Sequence, residues 1–142
     1  MSDTIQITDS HCHLDFPDFD EERDQVIARA VEAGVTRMVT ICTKLRLEPQ
    51  VRAIAETYAP VFYAAGTLPM SAADEPLATV AELVKLAEHP KFVGIGETGL
   101  DYRYTAASAE VQRQSLRIHI AAARETGLPL IIHARSADDD MA

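Results

Sequence analysis

The stretch FVGIGETGLDYRYTAASAEVQRQSLRIHIAAARETGLPLIIHAR, residues 92–135, holds two apolar runs on either side of a long segment with helical periodicity. We predict a strand over residues 92–97, a helix over 108–127 that ends at its final glycine, and a strand over 128–134. Strands that are nearly apolar throughout and separated by a helix are typical of a parallel sheet buried on both faces. This stretch therefore indicates an α/β fold.

The same alternation extends back to the start of the chain. The patterns predict strands over 4–8, 35–42 and 61–66, and helices over 20–34, 47–59 and about 75–89. Right-handed crossovers between parallel strands restrict such a chain to a doubly wound sheet or a (β/α) barrel. After the last strand, Ser136 is predicted to cap a further helix with Asp138, Asp139 and Asp140 in its first turn. Because a complete (β/α)8 barrel needs about 250 residues, a barrel made by these 142 residues would be incomplete.

The composition is that of a globular protein, with 47% hydrophobic and 25% charged residues. The 13 basic and 22 acidic residues give a net charge of −9, so a polyanionic substrate must be attracted by local cations. The two cysteines lack CxxC spacing, which indicates a reducing compartment. No apolar run approaches the roughly 20 residues of a membrane span, and no signal-peptide pattern is present, which predicts a cytoplasmic protein with no membrane partner.

The segment DSHCHLD, residues 9–15, places His11 and His13 one residue apart, directly after the first predicted strand. Side chains at i and i+2 of an extended chain point to the same side, with Cα atoms roughly 6.6 Å apart, so both imidazoles can reach one metal ion. Both candidate folds bind ligands at the carboxyl ends of their strands. An HxH pair alone is equally compatible with two polar residues in a surface loop.

Glu97 and His133 end the fourth and fifth predicted strands. A carboxylate that follows a buried apolar run is costly to bury unless it is paired or bound to metal. We therefore expect four candidate ligands at the same end of three strands. Imidazole nitrogen and carboxylate oxygen suit Zn²⁺ or Mn²⁺ and, if the carboxylate bridges, a pair of metal ions. The alternative is that Glu97 and His133 are only capping residues at strand ends.

The motifs DSHCHLD, GIGETGLDY and LPLIIHAR resemble, in this order, the successive motifs of the TatD-family metal-dependent deoxyribonucleases, a branch of the amidohydrolase-like TIM barrels. The resemblance covers essentially the whole chain. It implies an incomplete (β/α)8 TIM barrel with about the first five strands and four helices, in which residues 1–142 form the N-terminal portion of a single domain. It also implies two divalent cations, Zn, Mn or Mg, and hydrolysis of DNA, often single-stranded and attacked from its 3′ end.

The resemblance also assigns roles to individual residues. It implies that His11 and His13 bind the first metal, that Glu97 bridges both metals, and that His133 binds the second. A further histidine and an aspartate of the family motif lie beyond the matched motifs and have no counterpart in residues 1–142. In GTLPMSA, residues 66–72, leucine and methionine occupy positions where the family tends to place histidines, so polar contacts from that loop are not expected.

Several further residues are candidates for substrate contacts or for orienting the ligands. Arg135 is predicted to contact a phosphate bidentately or to be a solvated loop residue. Asp15 and Asp101 are predicted to orient the ligand histidines, with turn or capping chemistry as the alternative.

The aromatic segment after the fourth strand and a histidine within the long helix each allow two interpretations. Tyr102, together with Arg103 and Tyr104, is predicted to stack on nucleobases or to pack on the barrel rim. His119 is interpreted as a helix-surface or packing residue rather than a ligand.

Three hypotheses follow for function. The first is a metal-dependent hydrolase that cleaves phosphodiester bonds of DNA. The second is an inactive fragment that binds metal weakly and self-associates through the unpaired edges of its first and fifth strands. The third is a related barrel hydrolase that acts on C–N or ester bonds, since fold alone does not determine chemistry.

Overall fold

The computed structural model describes residues 4–142, which form a five-stranded parallel sheet with helices between the strands. The strands are β1 (Ile7–Cys12), β2 (Val35–Cys42), β3 (Val61–Ala65), β4 (Phe92–Asp101) and β5 (Leu130–Arg135). The helices are α1 (Arg23–Glu32), α2 (Glu48–Thr57), α3 (Val80–Leu86), α4 (Ala109–Thr126) and the short α5 (Asp138–Met141). The strands lie in chain order, as in a (β/α) barrel, whereas a doubly wound sheet has a switch point. The prediction of an incomplete barrel is confirmed.

The hydrophobic core lies between the central strands and the apolar faces of the helices. Its buried members include Met38 of β2, Val61 and Tyr63 of β3, Ile95 of β4, and Ile27, Val51 and Leu83 of the helices. β1 and β5 form the two edges of the sheet and are more exposed, with the Ile132 side chain of β5 exposed to 46%. An unpaired edge can accept a strand from another chain. The predicted self-association stays a prediction.

β1 and β4 extend further toward their carboxyl ends than predicted. The first strand spans Ile7–Cys12 instead of 4–8, and the fourth continues past residue 97 to Asp101. Their polar ends are strands because the backbone pairs with a neighbour: Cys12 lies opposite Thr40, and Asp101 lies opposite Arg135. Such pairing leaves no signal in the side-chain pattern.

The helices also differ from the predictions at their ends. α3 begins only at Val80, because Thr79 and Glu82 form a capping box in which each side chain accepts the other's backbone N–H. The predicted cap of the last helix is wrong, since Ala137 and not Ser136 precedes α5. The acidic first turn of that helix is present as predicted. Within residues 4–142, no helix combines the length and apolar character needed to cross a bilayer; the cytoplasmic location stays a prediction.

His119 joins α4 to the loop that follows β3. Its side chain is fully buried, so it does not lie on the helix surface. Nε2 accepts a hydrogen bond from the backbone N–H of Thr67 at 3.0 Å, and Nδ1 lies 2.7 Å from the carbonyl oxygen of Ser115. Only a neutral imidazole that carries its proton on Nδ1 can make both bonds. Burial lowers the pKa of His119, and the hydrogen bond to Ser115 opposes this effect.

This burial predicts that stability depends on pH through His119. Because the pKa of His119 is lower in the folded state, the unfolded chain binds the proton more readily. The contribution of neutral His119 to the free energy of unfolding is therefore complete above the ordinary pKa of 6.5 and is lost as the pH falls below that value. We expect His119→Leu to weaken the pH dependence of the free energy of unfolding between pH 5 and 7.5, measured by urea denaturation. At pH 7.5 the variant should be less stable by about 1 to 3 kcal/mol, because the Thr67 N–H loses its acceptor. Equal pH dependence in both proteins would contradict this role.

Candidate metal centre

The two histidines of the first motif come together with a carboxylate from β4. His11 lies within β1 and His13 directly after it, which corrects the prediction that both follow the strand. His11 Nε2 lies 3.3 Å from Glu97 Oε2, and His13 Nε2 lies 4.0 Å from the same oxygen. Between the pairs Asp9–Met38 and Cys12–Thr40, β1 advances by one residue more than β2, so the strand bulges beside His11.

The end of β2 determines the orientation of His13. Its Nδ1 lies 3.1 Å from the carbonyl oxygen of Ile41. The next residue is held in place by the Leu14 N–H, which donates to Thr40 Oγ1 at 3.0 Å. A proton on Nδ1 leaves the Nε2 lone pair free on the side of Glu97, which is the tautomer that a metal ion requires.

Glu97 lies inside β4, not at its end as predicted. Glu97 is only 8% exposed. Gly96 pairs with Ile131 and Thr98 with Ile132, so Glu97 has no partner on β5 and is displaced from the regular ladder. The displacement explains how a residue in the middle of a strand directs its carboxylate toward the mouth of the half-barrel.

His133 of β5 faces the other oxygen of the same carboxylate. Its Nδ1 lies 3.3 Å from Glu97 Oε1, and its Nε2 lies 2.8 Å from Asp101 Oδ2. If the proton resides on Nε2, Asp101 accepts it and the Nδ1 lone pair points toward Glu97. The two oxygens of Glu97 are therefore divided between the β1 histidines and the β5 histidine.

Asp101 is fully buried and holds both His133 and Arg135. Arg135 donates to Asp101 Oδ2 from Nε at 2.9 Å, while its Nη2 lies 2.8 Å from the same oxygen and donates to Met70 Sδ at 3.5 Å. Burial alone would raise the pKa of Asp101, but the hydrogen bonds from His133, Arg135 and the Arg103 N–H outweigh it and lower that pKa. Asp101 is thus a charged partner for the histidine, and its predicted role in orienting a metal ligand stays a prediction.

Gln112 of α4 positions Asp101 in turn, and the sequence reasoning missed it. Its Oε1 accepts the Asp101 N–H at 2.8 Å, and its Nε2 donates to the Asp101 carbonyl oxygen at 3.1 Å. The only signal in the sequence was spacing: Gln112, Leu116 and His119 share one helical stripe, and all three are buried.

Other predicted residues lie close by without the predicted contacts. Asp15 is buried, and burial raises its pKa, but among the hydrogen bonds of residues 4–142 none joins its side chain to His11 or His13. The Tyr102 hydroxyl donates to Asp140 at 2.6 Å, which turns this ring toward α5. The roles proposed for Asp15 and Tyr102 stay predictions.

The donor atoms fit a divalent cation. One nitrogen each from His11 and His13 and one oxygen from Glu97 all lie within 4.8 Å of one another. Around a tetrahedral ion with bonds of about 2.0 to 2.2 Å, donors lie roughly 3.4 Å apart, so a small inward movement completes the contact. Two imidazoles and a carboxylate are a donor set that Zn²⁺ and Mn²⁺ accept. His133 Nδ1 and Glu97 Oε1 form a second donor pair.

We expect Asp101→Asn to weaken metal binding, because an amide is a poorer acceptor for the His133 N–H and leaves Arg135 without its counter-charge. Loss of such a partner typically weakens metal affinity by about 10- to 100-fold. Calorimetric titration with Zn²⁺ or Mn²⁺ measures the effect, and the melting temperature checks folding. Asp139→Asn, at an exposed position of α5, is the matched control. An affinity of Asp101→Asn equal to that of the control would refute the orienting role.

Comparison with known proteins finds relatives that are named metal-dependent hydrolases. The chain is 38% identical to an uncharacterized metal-dependent hydrolase, TatD, of Mycobacterium tuberculosis over 95% of its length, and 34% identical to the uncharacterized metal-dependent hydrolase YabD of Bacillus subtilis over 94%. It covers 54% and 52% of these relatives. A protein of Shigella flexneri named 3′-5′ ssDNA/RNA exonuclease TatD is 32% identical over 85% of the chain and is covered to 46%. The chain therefore spans about half the length of the curated relatives it matches.

Solved structures show the same fold. The crystal structure of YjjV, a TatD homologue of Escherichia coli, superimposes with a TM-score of 0.85 at 31% identity, and the match covers 94% of this chain and 52% of that one. A TatD-family hydrolase of Entamoeba histolytica, 23% identical, gives a TM-score of 0.82 over 95% of this chain and 52% of its own, which supports the fold alone. The model of the family described as TatD related DNase matches residues 8–142. The chain thus belongs to the TatD family of metal-dependent hydrolases.

Proposed function

We propose that the protein is a hydrolase that binds two divalent metal ions and cleaves phosphodiester bonds of single-stranded DNA from the 3′ end. The division of the Glu97 carboxylate carries the proposal, with Oε2 toward His11 and His13 and Oε1 toward His133. A shared carboxylate is the usual link between ions about 3.5 to 4 Å apart. The name of the Shigella flexneri relative, a 3′-5′ ssDNA/RNA exonuclease, supports a nucleic-acid substrate.

Each residue has a separate task in this proposal. His11 and His13 would hold one ion, His133 the other, and Glu97 both. Bound metal ions supply an activated water and neutralise the charge that develops on the attacking and leaving oxygens. Asp101 keeps the His133 ring in the orientation that directs Nδ1 toward Glu97.

Arg135 reaches the candidate centre through Asp101, which also contacts His133. A guanidinium has five N–H donors; Asp101 accepts from Nε, and Met70 Sδ accepts from Nη2. The remaining donors can bind a phosphate oxygen beside the metal centre. Such a local cation is needed in a protein whose net charge is −9.

Metal binding without turnover is the second candidate function. Among residues 4–142, the one group of three close donors is His11, His13 and Glu97, which would hold the first ion. The second ion would therefore have only Glu97 and His133 as protein ligands. A site with two protein ligands holds its ion weakly and leaves the geometry of a two-metal reaction incomplete.

The proposal predicts metal-dependent release of nucleotides from a 5′-labelled single-stranded oligonucleotide. We expect Glu97→Gln to reduce the rate by at least about 10²-fold, because the amide cannot bridge two cations. Glu125→Gln, exposed at the far end of α4, is the matched control and should keep the rate of the unaltered protein.

The same assay distinguishes the alternatives. Calorimetric metal binding without any release of nucleotides supports the second candidate. Cleavage of amide or ester substrates, with oligonucleotides left intact, contradicts the proposed substrate and supports a different hydrolase of this fold. A comparison of DNA with RNA defines the sugar preference.

A further inference from the structure

An exposed tyrosine lies beside two arginines just past the carboxyl end of β4. The Tyr104 residue is 70% exposed. The guanidinium carbon of Arg103 lies 5.2 Å from the centre of its ring, and that of Arg135 lies 5.3 Å away. Contacts of this kind are attractive because the face of the ring is electron-rich. Two cations and an aromatic ring thus share one surface in an acidic protein.

Hydrogen bonds hold the backbone that presents this ring. The Arg103 N–H donates to Asp101 Oδ1 at 3.1 Å, and Thr105 Oγ1 donates to the Asp101 carbonyl oxygen at 2.7 Å. The buried Gln112 side chain donates to the Thr105 carbonyl oxygen at 2.9 Å. Tyr104 is therefore exposed on a turn that is anchored on both sides, and a binding surface that is already ordered loses less entropy when a ligand binds.

The same residues connect the ring to the candidate metal centre. Arg135 contacts both Tyr104 and Asp101, and Asp101 contacts His133. Arg135 is neutralised in part by Asp101. Among the ion pairs of residues 4–142, none engages Arg103, so its charge is available to a ligand.

We propose that Arg103, Tyr104 and Arg135 form a nucleotide subsite that binds the strand next to the cleaved bond, with a nucleobase stacked on the aromatic and guanidinium planes and a phosphate bound by Arg103. This inference rests on the proposed function, because it names part of the substrate that the metal centre would cleave. Stacking on aromatic side chains and cation contacts from arginine are how proteins bind single strands without reading sequence. The subsite assigns to Tyr104 the base contact that the sequence predicted for Tyr102 together with Arg103 and Tyr104.

Binding of a fluorescent single-stranded oligonucleotide, followed by anisotropy without added metal, tests the subsite apart from catalysis. We expect Tyr104→Ala to raise the Kd by roughly 5- to 150-fold and Tyr104→Phe to keep it within about 2-fold, because stacking needs the ring and not the hydroxyl. With an oligonucleotide whose sugars carry no bases, Tyr104→Ala and the unaltered protein should bind equally. Melting temperatures confirm that each variant is folded.

A second variant tests the phosphate contact. Arg103→Gln should weaken binding to intact and base-free strands alike and reduce the slope of log Kd against log salt by about 0.7. Arg124 is exposed near the carboxyl end of α4, away from the proposed subsite. Arg124→Gln is therefore the control and should leave this slope unchanged.

The failure of the subsite can be told apart from failure of the proposed function. Unaltered binding by Tyr104→Ala, an equal loss on base-free strands, or no binding by the unaltered protein would overturn the subsite. Binding that depends on the ring, but without hydrolysis when metal is added, would overturn only the proposed function. If hydrolysis occurs, Tyr104→Ala should raise KM for the oligonucleotide, because the ring contributes to binding of the strand.

Discussion

The close approach of the β4 backbone to β5 is the constraint on which the candidate centre depends. A Cβ atom at Gly96 would overlap the carbonyl oxygen of Ile131, and one at Gly99 would overlap that of His133. Both glycines have positive φ, 133° and 146°, which other residues rarely adopt. Only glycine at these two positions allows β4 to lie this close to β5 while Glu97 is displaced from the hydrogen-bond ladder between them. The displacement places the Glu97 carboxylate between imidazoles from β1 and β5.

A series of direct side-chain contacts leads from the Glu97 carboxylate through His133 to Asp101. Asp101 is the branch point, because one of its oxygens receives both His133 and Arg135. Gln112 fixes the backbone of Asp101 from the helix side. Contacts therefore run from Gln112 of α4 through Asp101 to His133 of β5 and to Arg135 beside Tyr104. The position of α4 on the sheet thus affects the orientation of a candidate ligand on β5.

The sequence predicted the fold and the approach of four candidate ligands to one another, and metal binding by these four residues stays a prediction. Apolar runs at regular intervals indicate parallel strands, and polar residues at their ends indicate a site. The positions of His11 and Glu97 inside their strands were not predictable, since backbone pairing and bulges leave no trace in side-chain patterns. Gln112 was missed, and the burial of His119 was left open, because a polar residue on a helix usually faces solvent, and only packing shows that it does not.

Diffraction from crystals that contain Mn²⁺, recorded for its anomalous signal, tests the central claim most directly. We expect one peak within bonding distance of His11 Nε2, His13 Nε2 and Glu97 Oε2. A second, weaker peak is expected between Glu97 Oε1 and His133 Nδ1. Manganese bound without any contact to Glu97, or a Glu97 carboxylate with both oxygens on the same ion, would contradict the claim.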